Sequence, residues 1–393
     1  MIDWKEYKIC EIGKVITGNT PSSKFPDEFG DDMPFITPTD YKNYNKWIEK
    51  ADRYLSKKGI EKLNQKILPA KSLLVTCIGS DMGKVAINLI PVITNQQINA
   101  LIPSIDDPEF LYYKFIDSYD TLRSYGQAGT AVPIVNKSDF ENIKILLPPL
   151  PEQNAIAEVL SSLDDKIDLL HRQNKTLEAL AETLFRQWFI EEADESWEEK
   201  PLQELLEFIV DNRGMTAPTA DSGIPLIATN CIKNKNIFPV YEKVRYVSKD
   251  TYDSWFRSQP EAGDIIFVNK GTPGCVNLVP DPVDFCIAQD MIALRVNEQL
   301  MSNYYLFILL RTDKFQSIIQ NSSVGTTIPH LKKTDLIKFP ILSPDKEYLH
   351  KFDNIVKPIF KKSNINNNQI RTLTQLRDTL LPKLMSGEIR VEV

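Results

Sequence analysis

The dominant pattern along the chain is a series of apolar residues at alternating steps of four and three, from Gln153 to Phe189. This spacing is typical of a coiled-coil seam and predicts one long helix, which at ~1.5 Å per residue would span roughly 55 Å. Such a helix is too long to be the core of one small domain. Its polar member, Asn174, would either specify the register of two paired helices or lie at a solvated end. The predicted seam contains Ile156, Leu160, Leu163, Ile167, Leu170, Asn174, Leu177 and Leu184.

A second and weaker seam runs from about Lys346 to Leu384. Ser363, Asn366 and Arg377 interrupt it, and Pro358 is expected to kink the helix or divide it in two, because proline lacks the N–H and clashes with the preceding turn. Its apolar positions are Phe352, Val356, Ile359, Ile370, Leu373 and Leu380.

Each helix closes one copy of an internal repeat. Residues 129–149 match residues 325–345, an offset of 325 − 129 = 196, and a strand-like apolar run, 73–75 or 265–268, precedes a pair of glycines in each copy. Two copies of one α+β unit are the economical interpretation, with chance similarity of two α+β domains as the alternative. Because a two-fold relation between repeats reverses their closing helices, we expect these to pair antiparallel. The glycines are Gly79 and Gly83 in the first copy and Gly271 and Gly274 in the second.

Composition narrows the class of protein. The 393 residues are 42% hydrophobic and 25% charged, which is ordinary for globular domains and allows two or three cores. Charged residues interrupt every long apolar stretch and the first thirty residues show no secretory signal, so we expect a soluble cytoplasmic protein without a membrane segment. Five cysteines without a CxxC pair suggest neither a disulfide framework nor a zinc site.

The net charge of -7 is unusual for a nucleic-acid binder, but it hides a strong asymmetry. Residues 41–84 contain ten Lys or Arg against four Asp or Glu, a balance of 10 − 4 = +6, whereas residues 150–200 contain five against thirteen, a balance of 5 − 13 = -8. Because binding depends on the local field, the basic stretch is a candidate nucleic-acid surface. The alternative is an ordinary solvated face.

The sequence contains no recognisable catalytic site. Residues 79–85 resemble a phosphate loop, but the spacing is one residue short and Val85 replaces the metal-binding Ser or Thr. The three histidines, His171, His330 and His350, lie in unlike contexts, which gives no support to a triad or a metal cluster. We find no Asn-Pro-Pro-aromatic methyltransferase motif and no nuclease-like cluster of acidic residues.

Residues 147–153, Leu-Pro-Pro-Leu-Pro-Glu-Gln, together with the following heptads and Lys175-Thr176-Leu177, resemble the central conserved region of type I restriction-modification specificity subunits. Residues 380–387, Leu-Leu-Pro-Lys-Leu-Met-Ser-Gly, resemble the C-terminal conserved region of that family, so the resemblance covers essentially the whole chain. Residues 343–347 depart from it because they lack the Pro-Glu-Gln signature, which leaves the start of the second helix uncertain.

The resemblance implies an α+β protein in which two β-rich target-recognition domains are each followed by a long helix, the helices pairing as an antiparallel coiled coil with pseudo-two-fold symmetry. The expected boundaries are 1–147 and 197–342 for the recognition domains, and 148–196 and 343–393 for the conserved helices. Each domain would read half of a split site in double-stranded DNA, and the helices would set the gap between the halves.

The resemblance also implies partners that do the chemistry. Two modification subunits would dock on the helices, carry S-adenosylmethionine and methylate adenine N6, while restriction subunits would translocate and cleave DNA with ATP and magnesium. The chain itself would hold no metal, cofactor or catalytic residue.

Candidate DNA contacts are ranked by charge and by position in the repeated units, with solvated surface as the alternative for each. Asn230 and Asn234 are candidates for reading adenine, since an amide pairs with its N6 and N7. In the first unit the candidates are Lys42, Lys46, Lys50, Arg53, Lys57, Lys58, Ser80 and Lys84. In the second they are Arg213, Asn230, Lys233, Asn234, Lys235, Lys243, Arg245, Lys249, Lys270 and Thr272.

Two other functions remain open at this point. One is a freestanding DNA methyltransferase or nuclease whose motifs escape recognition. The other is a coiled-coil scaffold that displays protein-binding domains, although the basic stretch 41–84 argues against it.

Overall fold

The computed structural model describes residues 4–42, 46–126, 133–212, 214–323 and 329–391, and for Lys42, Tyr125 and Gly126 only the backbone. The described chain forms two compact units. Unit 1 comprises residues 1–167 and 372–393, and unit 2 comprises residues 168–371. Each unit combines short strands with helices, so the predicted two-domain α+β class is confirmed.

The first half of the chain contains eleven strands and six helices among the described residues. The strands are β1 (Lys5–Lys8), β2 (Gly13–Thr17), β3 (Phe29–Gly30), β4 (Met33–Ile36), β5 (Trp47–Ile48), β6 (Tyr54–Leu55), β7 (Leu73–Thr76), β8 (Val85–Asn88), β9 (Ile93–Thr94), β10 (Ile98–Pro103) and β11 (Lys144–Leu147). The helices are α1 (Ile9–Ile12), α2 (Lys57–Lys62), α3 (Pro108–Asp117), α4 (Tyr119–Gly126), α5 (Lys137–Asn142) and α6 (Leu150–Arg186), the last continuing as a π-helical turn (Gln187–Glu191).

The second half of the chain repeats this order with nine strands and five helices among the described residues. The strands are β12 (Glu198–Pro201), β13 (Leu206–Val210), β14 (Ile224–Ile227), β15 (Arg245–Val247), β16 (Ile265–Val268), β17 (Val276–Leu278), β18 (Cys286–Ile287), β19 (Met291–Val296) and β20 (Pro340–Ser343). The helices are α7 (Lys249–Trp255), α8 (Asn303–Arg311), α9 (Asp313–Ser322), α10 (Lys333–Leu336) and α11 (Lys346–Ser386).

The two halves share one sheet topology. Strands β2-β10-β7-β8-β5 form the main sheet of unit 1, and β13-β19-β16-β17 form that of unit 2. A smaller sheet, β3-β6-β4-β9 or β15-β14-β18, contains one parallel pair in each unit, β4 with β9 and β14 with β18. The first and last strands also pair in each case, β1 with β11 and β12 with β20. The sequence repeat is thus a structural repeat.

The central strands β7 and β16 are buried on both faces, as their unbroken apolar sequences require. In β16, for example, Ile265 and Phe267 belong to one core, whereas Ile266 and Val268 belong to another. The predicted runs 73–75 and 265–268 are confirmed as strands.

The long helices complete one core in each unit. In unit 1, Ile156 and Leu160 of α6 join Leu384 and Met385 of α11 in the core beneath β7. In unit 2, Phe185 of α6 and Phe352 of α11 have ring centroids 6.4 Å apart in the core beneath β16. Burial of each such side chain contributes about 1.5–3 kcal/mol, so the units depend on both helices.

Every predicted seam residue is buried or half-buried. Several residues expected to interrupt the second seam also face inwards. Asn366 is fully buried and donates from Nδ2 to Oδ1 of Asn174 at 2.9 Å, and Ser363 is fully buried beside them. In unit 1, Nη1 of Arg377 donates to Oδ1 of Asp164 at 2.8 Å. These positions are polar contacts between helices rather than gaps in the seam.

The expectation that Pro358 divides the second helix is wrong, because α11 continues unbroken from Lys346 to Ser386. Pro358 and Asn354, whose carbonyl loses its helical N–H partner, are both exposed. Water can therefore solvate that carbonyl, which removes the main reason for the helix to end there.

We predict that the Asn174–Asn366 contact favours a specific register more than it favours stability. Asn366→Ala should lower the free energy of unfolding by about 1–3 kcal/mol, because it leaves Oδ1 of the half-buried Asn174 without its donor. The double variant Asn174→Leu/Asn366→Leu should be as stable as the wild type or more stable. Urea unfolding followed by helical circular dichroism measures both, and a double variant clearly less stable than the wild type would contradict the prediction.

Candidate nucleic-acid interface

The same turn follows the central strand in both units. The N–H of Gly79 donates to the carbonyl of Pro133 at 3.1 Å, and the N–H of Gly271 donates to the carbonyl of Pro329 at 3.0 Å. The two glycines of each turn have left-handed φ values, +92° and +94° in unit 1 and +91° and +93° in unit 2, which disfavour any residue with a Cβ. We call residues 79–84 the first glycine turn and residues 271–275 the second. Gly129 and Gly325, which begin the matching repeat segments, lie outside the described residues.

Helix α4 supports the first glycine turn through a residue that the sequence did not single out. Nη1 of Arg123 donates to the carbonyl of Ser80 at 3.2 Å and to the hydroxyl of Tyr119 at 3.1 Å. Tyr119 also lines a surface cavity of about 470 Å³ beside Lys84. Arg123 lies some forty residues beyond the basic stretch, so only the fold brings it to the turn.

Lys46 has a structural position rather than a surface one. Its side chain is 5% exposed, and Nζ donates to Glu109 of α3 at 2.6 Å and to Ser161 of α6 at 3.0 Å. Burial would raise the pKa of Glu109, but the hydrogen bonds from Lys46 and Ser161 outweigh it and hold that pKa below its usual value. Reaching a DNA phosphate, as predicted for Lys46 from the sequence, would require breaking this partly buried ion pair.

The other unit 1 candidates lie nearer to solvent. Arg53 is exposed and lies over the rings of Phe29 and Phe35, 5.6 and 5.2 Å from their centroids. Lys58 bonds to Asp27 and lowers the pKa of that carboxyl. Lys50, Lys57 and Ser80 are exposed, Lys84 is half-buried 2.7 Å from Asp81, and the side chain of Lys42 is outside the described part of the structure.

Three lysines of unit 2 lie around one carboxylate. Lys233 bonds directly to Glu242, and this bond, followed by the charges of Lys243 and Lys235, lowers the pKa of Glu242. The structure therefore brings together three of the predicted cations. With three positive charges against one negative charge, the 233–243 loop attracts anions.

Both asparagines that were candidates for reading adenine bond within the protein. Nδ2 of Asn230 donates to the carbonyl of Glu242 at 2.5 Å, and Oδ1 of Asn234 accepts the N–H of Val276 at 2.8 Å. A bidentate pair with adenine would have to replace these bonds. Their placement makes them supports of the loop in this structure.

Arg311 is a second cation that sequence reasoning missed. It is 10% exposed at the end of the apolar helix α8, 2.5 Å from Glu178 of α6, and it donates to the carbonyl of Asn234. Burial raises the pKa of Glu178, although the charge of Arg311 opposes this shift. A lone basic residue at a helix end is common, so nothing in the sequence distinguishes Arg311 from other such residues.

The remaining candidates of unit 2 are exposed. They are Arg245, Lys249, Lys270 and Thr272, while Arg213 lies outside the described residues. Lys249 pairs with Asp253 at 2.8 Å, and Lys270 lies 4.0 Å from Asp290. Thr272 thus lies on the second glycine turn, and Lys270 directly precedes that turn.

Neither a metal cluster nor a membrane span occurs in the part of the chain that the structure describes. There, no three His, Cys, Asp or Glu side chains converge in a way that could hold an ion. None of the described helices is long and apolar enough to cross a bilayer.

A sequence model of the type I restriction modification DNA specificity domain matches residues 1–179 and again residues 194–375. The chain belongs to this family. The MjaIX specificity subunit of a type I restriction enzyme from Methanocaldococcus jannaschii is 31% identical, over 99% of this chain and 94% of that protein. The MjaVIII specificity subunit from the same organism is 22% identical, with the same coverage.

Among solved structures, the S subunit of a type I restriction-modification system from M. genitalium has a TM-score of 0.60 at 16% identity, over 98% of this chain and 96% of that one. This likeness concerns the fold alone. The two matches of the specificity-domain model fall on the two halves that repeat in sequence and in sheet topology, so each half is one specificity domain.

We predict that Lys46→Met lowers the free energy of unfolding by about 2 kcal/mol. This is less than the roughly 3–5 kcal/mol for breaking a fully buried pair, because the Glu109 side chain is still 34% exposed. Adding Glu109→Gln should recover part of the loss. Lys144→Met, which breaks the exposed Lys144–Glu6 contact, is the matched control and should cost under about 1 kcal/mol. Equal costs for Lys46→Met and Lys144→Met would contradict the assignment.

The same ion pair predicts a pH dependence. Because the folded pKa of Glu109 is lowered, its contribution is present above the unfolded value of about 4.3 and is lost as pH falls through the folded value. Between pH 5 and pH 3, roughly one unit on either side of that value, the wild type should lose more stability than Lys46→Met/Glu109→Gln. Parallel losses would contradict the lowered pKa.

Proposed function

We propose that this chain is the DNA-reading specificity subunit of a type I restriction-modification complex, acting in the cytoplasm where that DNA lies. The observation that carries the proposal is the double match to a DNA specificity domain on two structurally repeated units. Each unit reads one half of a split site in double-stranded DNA. The exposed lysines and glycine turns of both units are the surfaces that meet DNA.

The long helices form the spacer in this proposal. Contacts within unit 2 join Asn174 to Asn366, and contacts within unit 1 join Asp164 to Arg377. The later of the two α6 residues, Asn174, meets the earlier of the two α11 residues, Asn366, whereas Asp164 meets the later one, Arg377. This reversed order supports an antiparallel coiled coil with pseudo-two-fold symmetry. The proposed recognition domains are residues 1–147 and 197–342, and the proposed helical regions are 148–196 and 343–393.

The partners supply the chemistry. Two modification subunits bind the helical regions, carry S-adenosylmethionine and methylate adenine, and restriction subunits act with ATP and magnesium. The chain itself is not an enzyme and holds no cofactor. Among the candidates, the main contacts are the lysines around Glu242, where three cations share one carboxylate, and the lysines beside the glycine turns, whose ion pairs with Asp81 and Asp290 are exposed.

We predict that the purified chain neither methylates nor cuts DNA, and that adenine methylation appears when a cognate modification subunit is added. Incorporation of labelled methyl groups from S-adenosylmethionine into duplex DNA measures the first activity, and incubation with magnesium measures cleavage. The modification subunit alone is the control and should label DNA at much lower specificity.

Methyl transfer by the isolated chain would replace this proposal with a freestanding enzyme. Failure of the complex to bind duplex DNA at all, despite assembly, would favour a scaffold that displays protein-binding domains.

A further inference from the structure

The two glycine turns have the same open tip. A Cβ atom added to Gly79 or Gly271 would meet no atom of a described residue within 4 Å, although the left-handed φ would strain it. A Cβ at Gly83 would instead lie 2.8 Å from Tyr119, and one at Gly274 would lie 3.0 Å from Gln316. In both units the closing glycine is packed against a helix, whereas the opening glycine has no described residue against its outer side.

The residue after each opening glycine carries a hydroxyl. Ser80 and Thr272 are both exposed, and neither their N–H groups nor their hydroxyls bond to any residue that the structure describes. In the first turn, Arg123 holds the carbonyl of Ser80. Because a trans peptide is planar, the N–H of Asp81 in the same peptide points the opposite way, away from Arg123. Each tip thus presents donors that no described residue pairs with.

One lysine flanks each tip, and its carboxylate partner is weakly held. Lys84 pairs with Asp81 and Lys270 lies 4.0 Å from Asp290, with every one of these side chains at least 33% exposed. Exposed pairs of this kind contribute under about 1 kcal/mol, so an arriving anion can displace them. Asp81 and Asp290 still lower the positive field and rule out a strong free-anion site.

We propose that the two glycine turns are paired binding sites for the phosphodiester backbone of DNA. The hydroxyls of Ser80 and Thr272 donate to phosphate oxygens, and Lys84 and Lys270 neutralise the charge. This inference rests on the proposed function and extends it. The two halves of a split site differ in bases but share one backbone chemistry, and phosphate contacts position a protein without reading sequence. The same turn is present in both units although much of their sequence differs, as expected of a surface that binds the same DNA backbone in both halves of the site.

The test uses Ser80→Asp and Thr272→Asp, each of which adds one negative charge to an exposed tip. Binding of a random-sequence 30-base-pair duplex is measured by fluorescence anisotropy from about 50 to 200 mM salt, with the chain assembled with its modification subunits. We expect each variant to lose affinity at least about tenfold at low salt, and Lys84→Gln and Lys270→Gln each to reduce the salt slope by about 0.9. Ser138→Asp and Ser222→Asp, also exposed, are matched controls and should bind like the wild type.

Contrasting outcomes separate this inference from the function it rests on. Wild-type binding by both tip variants, or equal losses in the controls, would overturn the phosphate sites and leave the proposed function intact. Tip variants that bind DNA normally but fail to assemble with the modification subunits would instead make the turns protein contacts. Failure of the wild-type complex to bind any duplex would overturn both proposals.

Discussion

The structure depends on the burial of two long helices that neither unit can do without. Each of α6 and α11 contributes residues to both units. Phe185 and Phe352 close the main core of unit 2, as Leu160 and Leu384 close that of unit 1. Most of the stability of an amphipathic helix in a protein comes from covering its apolar stripe. The helices and the sheets therefore stabilise each other, and both helices are an integral part of each unit.

Polar contacts then position the surfaces that carry charge. Lys46 ties the basic stretch of unit 1 to α3 and α6, and Arg311 ties the 233–243 loop of unit 2 to Glu178 of α6. The two arrangements differ in where the cation lies: Lys46 belongs to the basic stretch itself, whereas Arg311 belongs to helix α8. In both units, however, the cation joins the segment to helix α6. In both units a segment that carries exposed lysines is held by a largely buried cation. Surface lysines, by contrast, act mainly through the summed electrostatic potential that they create at the protein surface.

Periodicity and internal repetition predicted the architecture well, because both report burial directly. The apolar steps of four and three predicted the bounds of α6 and α11 to within a few residues. The repeat at an offset of 196 residues predicted two similar units, and each unit contains a similar main sheet. Side-chain partners were harder to predict. Asn366 was expected to interrupt the seam, since a polar residue there has no apolar contact to make. Its hydrogen bond to Asn174 could not be predicted, because sequence spacing alone does not show which residues of two helices face each other. Lys46 and Arg311 depend on carboxylates far away in sequence, so charge counting placed one at the surface and overlooked the other.

Independent reading by two units is the central claim, and exchange of one unit tests it most directly. Residues 1–147 would be replaced by the matching unit of a relative such as the MjaIX subunit, which is 31% identical over 99% of this chain. Methylated adenines would then be mapped across the genome of a host that expresses the complete system. The account predicts that one half of the methylated site changes while the other half is retained. If both halves changed together, or if neither did, the two units would not read DNA independently and the account would be wrong.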